Sequence, residues 1–91
     1  MFTRERVTPC GHQQIACVTS TALTVPSGAQ YALITTETQN VRFRDDGTAP
    51  TATVGQLIKT TDPPLWYTGK LSKLRFIQAA STALVNVAYY G

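Results

Sequence analysis

"VRFRDDGTAPT", Val41 to Thr51, is the stretch whose reading decides the rest of the chain. It holds the densest charge in the sequence, Arg42 and Arg44 beside Asp45 and Asp46, and runs on to Gly47 and Pro50. Two readings compete: a catalytic or ion-binding cluster, or a sharp reversal between two strands. In "NVRFRD" apolar Val41 and Phe43 alternate with charged Arg42 and Arg44, the period-two pattern of a strand with one wet face. Asp side chains accept backbone N–H groups in turns, and glycine tolerates positive φ, so "DDG" directly after a strand predicts a hairpin or corner. A shared acidic site would need Asp45 and Asp46 to converge, whereas adjacent strand or turn residues diverge, and no third acid lies close in sequence. The stretch is read as a turn; a cation-stabilised loop and a catalytic pair are the alternatives.

Working outward, the same grammar repeats. Upstream, "QYALITTET" sets Ala32 and Ile34 on one face and Tyr31, Leu33 and Thr35 on the other, a strand apolar enough on both sides to lie in a sandwich. "ALTVPSGAQ" supplies a short strand stopped by Pro26, Ser27 and Gly28, and "QQIACVTS" begins a β-prone region. Downstream, a strand around Gln56 to Lys59 breaks at Asp62-Pro63-Pro64, and another at Leu65 to Tyr67 ends at Gly69. "LSKLRFIQAAS" fits a helical face through Leu71, Leu74 and Ile77 as well as a strand, and the β-prone surroundings favour a short connection followed by a strand. "ALVNVAYYG" closes as a strand, with Val85, Val87 and Tyr89 opposite Leu84, Asn86 and Tyr90. Six to eight short strands punctuated by Gly, Pro or Asp predict an all-β fold: a small antiparallel β-sandwich, jelly-roll-like. Residues 1–12, polar and interrupted by Pro9 and Gly11, read as an extended N-terminal arm, and 13–91 as one domain.

Ninety-one residues leave room for one core only. A domain this small hides a modest share of its surface, so docking or oligomerisation is expected to help stabilise it. Charged residues make up 14% of the chain, well below the usual quarter, so much of the surface must be neutral. The net charge is +3, but the cations are spread along the chain and do not form the dense run of a nucleic-acid tail. No apolar run approaches the roughly 20 residues of a membrane span, and the start "MFTRERVTPCGH" lacks the apolar stretch of a secretory signal. A cytoplasmic site of synthesis is expected, with Cys10 and Cys17 as free thiols.

Chemistry is sparse. His12 is the single histidine, so any Ser-His-Asp or Cys-His arrangement would have to draw on the arm. Cys10, His12 and Cys17 would need a fourth ligand to hold zinc, and none is near in sequence. Glu5, Glu37, Asp45, Asp46 and Asp62 are few enough to be surface charges, and no Gly-rich run leads into a phosphate-binding helix. No catalytic residue and no cofactor is therefore expected. A small OB-like nucleic-acid binder is the alternative from another class, with Phe43, Trp66, Tyr67, Phe76, Tyr89 and Tyr90 beside Arg42, Arg44 and Arg75; core aromatics explain the same residues.

From about Gln30 onward, "YALITTETQNVRFRDDGTAPTATVG", "LWYTG", "LSKLRFIQAAS" and "LVNVAYYG" resemble small β-sandwich structural proteins of tailed bacteriophages, some of which act as capsid decoration or cement proteins. The resemblance spans about two thirds of the chain. It implies a non-enzymatic virion protein on the capsid surface, assembled in the host cytoplasm, that binds the major capsid protein and bridges its subunits as a homo-oligomer, trimer or dimer. A tail or head-to-tail accessory protein is the alternative within that class. Under this reading Phe2, Arg4 and Arg6 of the arm are the expected capsid contacts, with Arg42, Arg44, Asp45 and Asp46 at a second partner or oligomer contact. Neither nucleic acid nor membrane is an expected partner.

Overall fold

A computed structural model describes residues 7–91. Eight strands follow in order: β1 (Pro9–Ile15), β2 (Thr21–Ala22), β3 (Tyr31–Glu37), β4 (Val41–Arg44), β5 (Gln56–Ile58), β6 (Leu65–Tyr67), β7 (Arg75–Gln78) and β8 (Leu84–Tyr90), with one 3₁₀ turn at Leu71–Lys73. They form two four-stranded sheets ordered β1-β8-β3-β6 and β2-β7-β4-β5. Every ladder is antiparallel, and the pairs nest: β4 with β5, β3 with β6, β2 with β7, β1 with β8. The chain is thus one long hairpin reversed between β4 and β5 and rolled into two layers, which is the jelly-roll form of the sandwich.

The alternation read in the sequence makes the layers. Along β3, Ala32, Ile34 and Thr36 are buried; along β8, Val85, Val87 and Tyr89 are. The register sets Ala32 opposite Tyr89, Ile34 opposite Val87 and Thr36 opposite Val85, so the two central strands of the first sheet present one continuous inner face. The second sheet answers with Val41, Ile58 and Phe76, and Phe43 lies opposite Phe76 with ring centroids 5.9 Å apart. Each fully buried side chain of this size contributes about 1.5–3 kcal/mol. The ambiguous "LSKLRF" resolves as a 3₁₀ turn followed by β7. Residues i and i+3 eclipse in such a turn, which is why Leu71 and Leu74 share the buried side and mimic a helical face.

One boundary falls elsewhere than the sequence suggested. Residues 9–12, read as part of the arm, belong to β1, which pairs with β8 from Pro9↔Tyr90 to Ile15↔Val85. β1 is an edge strand whose outward residues are polar, and a register shift between Pro9 and Gly11 breaks its alternation, so no apolar period marks it. Proline is tolerated there because an edge strand's first residue need not donate to the ladder. Thr8 and Gly91 exchange backbone hydrogen bonds of 2.8 and 2.9 Å, extending this ladder to its end. Among the described residues no helix is long and apolar enough to cross a membrane.

Candidate functional site

The segment quoted first is the tip of the long hairpin. Loop 45–55 connects β4 to β5, and its backbone is held by side chains on every side. Arg42 on β4 reaches across it, its Nε donating to the Ala52 carbonyl at 3.1 Å and a terminal nitrogen to the Gly55 carbonyl at 2.9 Å. Asp46 accepts the Thr48 N–H at 3.1 Å, and Gly47 takes φ +82°. This is the aspartate-capped, glycine-turned reversal that "DDG" predicts. Further round, Thr51 Oγ1 accepts the Val54 N–H at 3.0 Å, and Thr51 and Val54 also exchange backbone bonds of 2.9 and 3.2 Å. Pro50 is buried. At Gly55, with φ +140°, a Cβ would lie 3.0 Å from the Phe43 carbonyl, so only glycine lets the strands close here.

The two aspartates diverge. Arg44 donates two hydrogen bonds to Asp46, one of them also the ion contact, and with the Thr48 N–H these hold the Asp46 carboxyl below its usual range; the same pairing raises the Arg44 guanidinium. Both groups are substantially exposed, so this pair adds little to stability. Asp45 turns the other way and accepts the Tyr67 hydroxyl at 2.9 Å, tying the tip to β6 of the opposite sheet. Burial, then the Asp45 bond and charge, push the Tyr67 phenol up to about 12. Tyr67 as a tip anchor escaped the sequence reading, since its partner lies 22 residues away and "LWYTG" carries no sign of the contact.

Two shallow clefts flank the tip. One of about 410 Å³ lies between Phe43, Arg44, Asp46 and Val54; the other, about 390 Å³, runs from Phe43 and Leu57 to Pro63, Pro64 and Leu65. Val54 and Leu57 stand 52% and 38% exposed beside them, two of the three large apolar side chains left open among the described residues. Val54 at the end of the loop and Leu57 on β5 thus leave apolar surface open beside the two clefts. The loop's polar groups are already engaged with one another, so Arg42, Arg44, Asp45 and Asp46 act first as the framework of the tip.

Of the other expected contacts, Phe2, Arg4 and Arg6 lie outside the described residues. Cys10 and Cys17 are both free, Cys10 near the start of β1 and Cys17 two residues past its end, and among the described residues no three His, Cys, Asp or Glu side chains gather for a metal. The aromatics grouped for the nucleic-acid alternative are split: Phe76 and Tyr89 are in the core, while Trp66 and Tyr90 lie on the outside of the first sheet, away from the β4 and β7 arginines. The fold thus defines an eight-stranded jelly roll with a braced hairpin tip. No family model, curated protein or solved structure that was compared matches the chain.

Proposed function

We propose that the chain is a non-enzymatic structural protein of a tailed-phage virion, bound to the outer capsid as a decoration or cement protein and bridging major capsid subunits. The braced tip carries this reading. Association costs freedom in every loop it orders, and a loop already fixed by Arg42, Asp46, Thr51 and Tyr67 has little left to lose. Val54 and Leu57 then supply apolar area at the contact. The likeness of "VRFRDDGTAPTATVG" and the "LVNVAYYG" ending to small virion proteins supports the same assignment. Lattice symmetry multiplies a modest contact into many, so each copy can work with an interface of standard size or less. Phe2, Arg4 and Arg6 add a second contact, the arginines meeting acidic capsid residues, in a homo-oligomer seated on a local symmetry axis.

The test uses particles assembled without the protein. Purified chain added back should co-sediment with heads, saturate at a defined copy number and raise the temperature at which they release DNA. The double variant V54E/L57E should keep its β circular dichroism and lose attachment, and deletion of residues 1–6 should weaken it. Attachment to isolated tails but not heads would move the protein to the tail, and failure to bind any particle part would overturn the assignment.

A further inference from the structure

Charge divides the two layers. The strands of the second sheet carry Arg42, Arg44 and Arg75 and no acid, whereas those of the first carry Glu37 and no lysine or arginine. Val41, Phe43 and Phe76 face the core, so alternation turns all three arginines outward on one face, with Ala22, Leu57 and Ile77 as their neighbours across the ladders. The register sets Arg44 directly opposite Arg75. Side chains so placed start about 5 Å apart at Cβ, and like charges there work against the sheet. Asp46 answers Arg44, but the Arg75 side chain makes no hydrogen bond or ion pair among the described residues. The Lys73 side chain makes none either, and its ammonium lies over the tip, 3.5 Å from where a Cβ on Gly47 would stand.

We propose that the outer face of the second sheet receives an acidic, partly apolar segment of a partner protein, with a carboxylate seated between Arg44, Arg75 and Lys73. Asp46 takes the Nε and one terminal nitrogen of Arg44, which leaves the other terminal nitrogen and its N–H groups open. Arg75 offers its whole fork. A carboxylate held between the two arginines replaces their repulsion with charge-assisted hydrogen bonds. Arg44 also borders the cleft of about 410 Å³ beside Val54, so a partner side chain can enter next to the charge. The uncharged neighbours decide between kinds of acidic partner. The outward positions of the second sheet's strands hold no aromatic ring, so the bases of a nucleic-acid strand would find nothing to stack on. Leu57, 38% exposed, and half-buried Ile77 suit a polypeptide that mixes acids with apolar side chains. For the partner's identity this rests on the capsid reading; the charge layout adds the partner's chemistry.

The probe is a fluorescein-labelled peptide of Glu-Glu-Leu repeats, with a Gln-Gln-Leu peptide as control, titrated against the full chain by anisotropy. Heads assembled without the protein are tested in parallel. The acidic peptide should bind saturably, weaken as salt rises, and bind more tightly than oligothymidylate or phosphatidylserine vesicles, while the control should not bind. Arg75→Gln should weaken binding to peptide and to heads at least about 10-fold, the size of one charge-assisted hydrogen bond. Arg75→Glu sets a carboxylate opposite Arg44, so it should abolish binding while raising the melting temperature, a pairing of effects that damage to the fold does not produce. Deleting residues 1–6 should leave peptide binding in place. If both Arg75 variants bind heads as tightly as the parent, the acidic contact is refuted and the capsid reading stands; a parent that binds the peptide but no head upholds the contact and removes the capsid. The proposal is also overturned if the acidic peptide fails to bind, if oligothymidylate or vesicles bind more tightly, or if deleting residues 1–6 abolishes peptide binding.

Discussion

Replacing Arg42 by methionine tests whether the hairpin tip is built as described. Methionine keeps much of the unbranched stem and its packing on β4 while removing the guanidinium that donates to Ala52 and Gly55. A hydrogen bond from a charged donor is worth roughly 1.5–3 kcal/mol where it is sheltered and less where water can replace it. The Ala52 bond is exposed and the Gly55 bond partly buried, so the two together should contribute about 1–3 kcal/mol. For a domain of this size each kcal/mol moves the melting temperature by about 4–8 °C, so R42M should melt about 5–20 °C below the parent. Arg42→Lys, which can reach one carbonyl but not fork to two, should recover part of the loss. Differential scanning calorimetry reads the shift, and thermolysin reads the loop through faster cleavage beside the exposed Val54. An R42M protein that melts within about 2 °C of the parent and resists thermolysin equally would show that the guanidinium does not brace the loop.

Tyr89 gives the fold an alkaline limit. Its phenol donates to Gln13 Oε1 at 2.7 Å, and burial pushes it up to about 12. The folded value lies above the unfolded one near 10, so the stabilisation is complete below pH 10 and is lost as pH rises through 12. Urea titrations across that window should show Tyr89 contributing about 2–3 kcal/mol of the decline, and Tyr89→Phe should flatten the curve while costing about 1 kcal/mol at pH 7; an unchanged slope would contradict it. Thiol labelling should separate the cysteines. Half-buried Cys10 should react in the native protein, and Cys17, wholly buried with its thiol pushed up by desolvation, only after unfolding. Two fast thiols in native buffer would refute the placement of Cys17.

The parts of the fold that were legible in sequence are those where burial imposes a period. Ala32 and Ile34, Val41 and Phe43, and Val85, Val87 and Tyr89 alternate because one side of each strand meets the opposite sheet, and "DDG" marks the reversal through its own local hydrogen bonding. β1 was not legible as far as Pro9, because an edge strand with a bulge and polar outward residues buries little. The site divides the same way. Arg42, Arg44, Asp45 and Asp46 were visible as a cluster, but their roles depend on Ala52, Gly55 and Tyr67, whose positions only the folded chain brings near. The outer cluster of Tyr31, Trp66 and Tyr90 was hidden for the same reason: three strands distant in sequence contribute one ring each.

The nesting of the ladders also bears on how the molecule forms. Closing β1 on β8 directly would bring together nearly the whole chain, whereas closing β4 on β5 spans only loop 45–55. Loop-closure entropy grows with the length left open, and each pairing from the tip shortens the next, so a zipper started there meets the smallest successive barriers. Stopped-flow refolding of R42M reads this order: a slowed folding limb with an unmoved unfolding limb belongs to a nucleus at the tip, and the reverse belongs elsewhere. A tip that both starts the zipper and meets the capsid would leave those eleven positions answerable to two selections at once. The variability common in a surface loop would then be least available where this chain turns round.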